Sequence, residues 1–141
     1  MPKLRTALPA MAAFACLALL AACGHEEVAQ SEAPMATTHP DFVMTQTAVG
    51  PALATANGMT VYTYDDDSAG RSTCYEGCAE YWPPVLATPE AHATGSLTLI
   101  PRDDGSMQWA VRGMPLYTYV QDHGPGDANG DNHEGEWHVV R

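Results

Sequence analysis

Cys74 and Cys78 are the side chains best placed for chemistry in this 141-residue chain. Cys16 and Cys23 lie near its start, so these two form an isolated Cys-x-x-x-Cys pair. Outside the cytoplasm such a pair oxidises to a structural disulfide. Kept reduced, the soft thiolates would select Cu(I) or act as a redox pair. In a regular helix, positions four apart have Cα atoms ~6.2 Å apart. That is near the upper limit for a disulfide, and Gly77 is the residue expected to let the turn distort and close the bridge. For copper the chain adds Met59, Met107, Met114, His123, His133 and His138. A c-type haem is excluded, because no Cys-x-x-Cys-His occurs. A second candidate is Asp127, Asn129 and Asp131, whose alternating oxygens open like a calcium loop. Its glycine, Gly130, comes early, and His138 stands where the closing Glu belongs; the alternative is a plain polar loop. No catalytic residue is assigned: Ser68, Ser72, Ser96 and Ser106 sit in turn-like sequence, with no glycine-flanked serine elbow. No cofactor is expected, and calcium and copper are the two candidates.

The aromatic residues recur. Gly58-Met59-Thr60-Val61-Tyr62-Thr63-Tyr64-Asp65-Asp66-Asp67 returns as Gly113-Met114-Pro115-Leu116-Tyr117-Thr118-Tyr119-Val120-Gln121-Asp122, 55 positions on, with six of ten positions identical. Trp82 falls on Trp137 at the same offset. A duplicated supersecondary unit follows, with Tyr62, Tyr64 and Asp67 equivalent to Tyr117, Tyr119 and Asp122. These rings, with Trp82, Trp109 and Trp137, offer either an aromatic ligand surface or cross-strand core pairs. Asp67 and Asp122 end their strands, where a carboxylate accepts turn N–H groups.

The elements that must hold these groups are strands. Expected strands run over 48–55, 59–64, 97–101, 107–112, 114–120 and 136–140, with Asn57-Gly58 and Asp104-Gly105 as hairpin signals. Val61 and Leu116 face one way and the tyrosines the other, so both faces need cover. Thr73 and Glu76 fit a capping box for one short helix near Cys74–Trp82, stopped by Pro83 and Pro84. The fold class is all-β: an antiparallel, sandwich-like domain of two related halves, spanning 41–141.

Residues 1–22 read as a signal peptide: Lys3 and Arg5, then an apolar run, then Ala21-Ala22-Cys23. This resembles a bacterial lipobox, in which Cys23 is acylated and the lipid becomes the membrane anchor. Residues 23–40 read as a flexible tether reaching about 20–25 Å, with His25 and His39 as solvated linker residues. After Cys23 the chain has four arginines against all seventeen carboxylates, a formal charge of 4 − 17 = −13. Nucleic acid is therefore no partner. A cation, a small ligand or a basic protein is what such a field attracts.

Tyr-x-aromatic-x-x-Asp at Tyr62 and Tyr117, with Cys74-Tyr75-Glu76-Gly77-Cys78-Ala79, Trp82-Pro83-Pro84, Pro125-Gly126-Asp127 and Trp137-His138-Val139-Val140, resembles a family. It is that of the predicted bacterial lipoproteins named for the motif, also called the secreted repeat of unknown function. The resemblance covers residues 49–141 and implies a secreted or lipidated repeat domain with no assigned reaction. The cysteine spacing is also similar to that of thioredoxin-like copper chaperones, yet the β-α-β order of that fold is absent. The expected function is a lipid-anchored, non-catalytic binding or envelope module, at the outer membrane or periplasmic face where the cell has one. A copper or thiol-redox accessory using Cys74 and Cys78 is the alternative.

Overall fold

The computed structural model describes residues 39–141. The signal segment, Cys23 and most of the tether lie outside the described residues. The first repeat opens with a hairpin of β1 (Phe42–Thr47) and β2 (Gly50–Thr55), paired from Phe42↔Thr55 to Thr47↔Gly50. Its two-residue turn is closed by Thr47, whose hydroxyl donates to the Gly50 carbonyl at 2.7 Å and accepts the Val49 N–H at 3.1 Å. β1 was not among the expected strands. Its signal is the β-branched run Val43, Thr45 and Thr47, next to sequence that reads as tether. His39 is a correction too: it is 9% exposed and packs edge-on against Trp109 at 4.8 Å, so it belongs to the fold.

Past β2, the expected Asn57-Gly58 turn forms, with the Thr55 N–H donating to the Met59 carbonyl at 2.8 Å. The strand expected over 59–64 breaks up: β3 (Tyr62–Tyr64) pairs with β7 (Trp137–Val139) at the far end of the chain. The second repeat repeats the plan. β4 (Leu97–Pro101) and β5 (Met107–Val111) form a hairpin, and β6 (Met114–Pro115) pairs back onto β5 through Arg112-Gly113. Both turn residues have positive φ, 50° and 85°, as a two-residue hairpin turn demands. The strand expected over 114–120 ends early, because its next residues bond to three separated partners. Tyr117 meets Tyr62, Thr118 N–H donates to Pro83, and Val120 N–H donates to Tyr81.

Several of these bonds recur at the 55-residue offset. Val85 N–H donates to Leu116 at 2.9 Å, and Val140 N–H to Val61 at 3.2 Å. Val120 N–H donates to Tyr81 at 3.1 Å, and Asp65 N–H to Glu136 at 2.9 Å. The offset rises by one between β2 and β5, since the second hairpin turn is longer, and returns to 55 at Met59 and Met114.

The helix α1 (Gly77–Tyr81) is the one α-helix among the described residues, and it stops at Pro83 as expected. The capping box does not form. Glu76 caps with φ 47° and no side-chain bond, and Thr73 is drawn away: its amide and hydroxyl both donate to Asp67, at 2.7 and 2.8 Å. The counterpart of α1 in the second repeat is a 3-10 turn, His133–Gly135. Among the described residues no helix is long and apolar enough to cross a membrane.

The architecture is three small antiparallel sheets between two apolar clusters. Tyr62, Tyr117, Tyr119, Trp82 and Trp137 fill one cluster; Val61 and Leu116 turn to the other with Phe42, Leu53, Leu97 and Trp109. The repeated strand is thus covered on both faces, as its alternation requires.

Candidate functional site

Residues two apart on an extended strand point the same way, so each motif sends its tyrosines into one cluster. Tyr62 and Tyr117 then cross between repeats. Tyr62 donates to Asp122 Oδ2 at 2.6 Å, and Tyr117 donates to Asp67 Oδ2 at 2.6 Å. Each aspartate closes a loop of its own repeat with the other oxygen. Asp67 Oδ1 accepts from Thr73, and Asp122 Oδ1 accepts the Asn129 amide and side chain at 2.9 and 3.1 Å. A carboxylate this buried (8% and 6% exposed) needs such a set of donors. Burial, and then the aspartate beside each ring, hold the Tyr62 and Tyr117 phenols well above the usual tyrosine range. Turn-closing aspartates were expected; the exchange between repeats was not.

Arg102 supplies the other buried charge and gave no sequence signal beyond being an arginine in an acidic turn. Its Nη1 donates to Ser72 Oγ at 3.0 Å and Gln108 Oε1 at 2.7 Å, and its Nη2 to the Cys74 carbonyl at 2.9 Å. The Tyr75 ring lies 4.2 Å from its Cζ, a cation–π contact. Ser72 lies 2.7 Å from the Tyr117 hydroxyl. A hydrogen-bonded chain therefore runs from the Arg102 guanidinium through Ser72 and Tyr117 to the Asp67 carboxylate, linking two of the three buried charges among the described residues through neutral groups.

Above these bonds the rings form a column. Trp82 and Trp137 stack at 3.8 Å with planes 2° apart. Tyr64 covers the outer face of Trp137 and Tyr119 that of Trp82, each at 4.2 Å. Tyr62 and Tyr117 abut Trp82 and Trp137 edge-on at 5.4 and 5.3 Å. Trp109, the third tryptophan, is elsewhere: it packs on Phe42 in the other cluster. Gly130 is where the acidic loop crosses the column. A Cβ there would lie 2.6 Å from Trp82 Cη2, which explains the early glycine of the candidate calcium loop.

The column floors a cleft of about 390 Å³. Both faces of each tryptophan are covered, so the floor offers ring edges. The rim comes from two segments, Cys78 and Tyr81 of α1, and His133, Glu134 and Glu136, with the His133 ring 5.7 Å from Trp82 and 5.5 Å from Tyr119. Cys78 is equivalent to His133 by the offset, and Tyr81 to Glu136. The floor is thus symmetric and the rim is not: one segment is aromatic and apolar, the other acidic. Tyr81 is 59% exposed.

Cys74 and Cys78 lie at disulfide-bonding distance, with Cα atoms 5.3 Å apart. The separation is below that of a regular helix because Cys74 precedes α1, and the distorted residue is Glu76, not Gly77. Of the histidines and methionines considered for copper, His133 shares the cleft with Cys78. The calcium candidates diverge. Asp127 Oδ2 accepts the His123 and Gly124 N–H groups, Asn129 serves Asp122, and Asp131 Oδ1 accepts the Val139 N–H at 3.0 Å. Among the described residues no three His, Cys, Asp or Glu side chains converge as a metal-binding group.

Comparison with known proteins gives one result. No curated protein and no solved structure matched the chain. Residues 43–86 and 98–141 each match the family described as a secreted repeat of unknown function. The matches begin 55 residues apart, the offset that relates the two tyrosines, the two aspartates and the two stacked tryptophans. They also take in β1, ahead of where the sequence resemblance began. The chain belongs to the family of secreted repeats of unknown function, and it carries two of them.

Proposed function

We propose that this chain is a lipid-anchored, extracytoplasmic binding module of the cell envelope, non-catalytic, which holds its ligand in the cleft where the two repeats meet. The observation that carries this is the cleft itself. Its volume of about 390 Å³ falls in the range of small-molecule sites. Its floor is built from rings locked by stacking, and its unlike rim segments give a ligand a preferred orientation. Membership of a secreted family agrees with the signal segment ahead of Cys23. Ala21 and Ala22 before that cysteine support acylation there, and two or more acyl chains give a stable anchor.

Two measurements test the reading. Cys23→Ser should move the protein from the membrane pellet to the soluble fraction, and continued sedimentation after an alkaline wash would overturn the lipid anchor. Thiol titration and metal analysis of protein purified without reductant separate binding from metal handling. No free thiol and no stoichiometric metal supports the binding module. Two free thiols with one copper would overturn it in favour of a metal or redox accessory.

A further inference from the structure

We infer that the cleft is selective for a small organic cation, a ligand carrying an ammonium or similar group; this rests on the reading of the cleft as a binding site. The charge pattern of the lining comes first. Glu134 and Glu136 both line the cleft, and among the described residues no lysine or arginine does. An anion would meet two carboxylates within a domain whose described arginines are far outnumbered by acids. A cation would exchange its water for those carboxylates and for an exposed aromatic ring of the lining.

That ring is Tyr81. It lines the cleft and is 59% exposed, and a cation over an aromatic face is stabilised. The stacked floor contributes apolar area of fixed shape. Such lining suits a ligand with an organic body and one charged head, and suits a bare metal ion poorly, since among the described residues no three His, Cys, Asp or Glu side chains converge there. The acidic rim segment is also held in place. Asn132 and Glu134 both adopt left-handed backbone, with φ 59° and 52°, and the turn is tied down by the Asn132 N–H donating to the Trp137 carbonyl at 2.7 Å. Glu134 therefore sits in a turn whose backbone is hydrogen-bonded to that of Trp137.

The test uses the intact mature chain and three probes of matched size: benzyltrimethylammonium, its neutral analogue with carbon in place of nitrogen, and phenylacetate. Binding is read by tryptophan fluorescence, to which the stacked pair reports, and by calorimetry. The ammonium should bind saturably at one per chain, about tenfold more tightly than the neutral analogue, and phenylacetate should not bind. Combined Glu134→Gln and Glu136→Gln should remove most of that preference while the melting temperature holds, because Glu134 is exposed, Glu136 is half-buried and the glutamines keep the shape of both side chains. Tyr81→Ala should weaken the ammonium several-fold. Equal binding of neutral and charged probes would overturn the cation selectivity and leave the cleft as a binding site. Failure of all three to bind would overturn the cleft reading itself.

Discussion

Tyr62 and Tyr117 face each other where the repeats meet, each N–H donating to the other's carbonyl, at 2.9 and 3.0 Å. Their phenols then part, each to the aspartate of the opposite repeat. The two halves are joined by exchange: what one tyrosine donates, the other repeat's loop receives.

Tyr62→Phe and Tyr117→Phe should each destabilise the domain by about 1–3 kcal/mol, because a buried carboxylate loses a donor. Tyr117→Phe should cost more. Its hydroxyl also meets Ser72, which carries the connection to Arg102, whereas Tyr62 adds only a 3.3 Å bond from the Gly130 N–H. Urea denaturation of the two variants checks the order, and a larger loss for Tyr62→Phe would contradict the chain through Ser72.

Alkaline pH should unfold the protein. The native phenols of Tyr62 and Tyr117 are raised above the usual value, so above pH ~10 the unfolded chain releases protons that the native state keeps. Stability then falls with rising pH, by up to two protons per molecule from these groups, and is fully present below that value. Tyrosinate absorbance followed with circular dichroism checks this: the last two tyrosines should ionise only as the fold is lost.

Trp82→Ala and Trp137→Ala should each cost about 3–5 kcal/mol, and by similar amounts, since each lies between a tyrosine and the other tryptophan. The double variant should cost less than the sum, because the first truncation already removes the stacked contact. Thermal melts of the three proteins give the coupling, and strict additivity would mean that the stack carries none of the stability.

The mature protein purified without reductant should be about 2 Da lighter than after reduction, two hydrogens being lost in the Cys74–Cys78 bridge. Cys74→Ser with Cys78→Ser should then lower stability by about 2 kcal/mol at most, the loop being short. Alkylation of both cysteines in the unreduced protein would contradict the bridge.

The sequence made the duplication plain because a repeat is written twice in the string, in register. Val61 and Leu116 against the tyrosines likewise announced two covered faces, and Pro83 announced the end of α1. Features set by distant partners were not legible. Tyr62 and Asp122 lie 60 positions apart and Arg102 lies 28 from Cys74, separations no local pattern records. The capping box fails for a nearer reason: Thr73 fits it, but Asp67, six residues before, takes the same hydroxyl and amide. β1 carries no strand signal strong enough to assign and His39 reads as tether, because the burial of Phe42 and His39 depends on Trp109, far along the chain. The cleft needs both repeats at once, so its rim residues, Glu134 and Glu136, stood out in no single stretch.

The exchange of hydroxyls between repeats also bears on how the chain comes together. Asp67 waits for a ring 50 positions later, and Tyr62 for a carboxylate 60 positions later. The last strand, β7, closes on β3 across nearly the whole domain. A chain that has delivered only its first half has the Asp67–Thr73 loop and the β1–β2 hairpin but neither the Tyr117 hydroxyl for Asp67 nor the Asp122 carboxylate for Tyr62, so that half lacks the contacts that bury its motif. Contacts this distant in sequence pay their loop-closure entropy before any reward. The two repeats are therefore a single cooperative unit, assembled late and all at once, although the string reads as two.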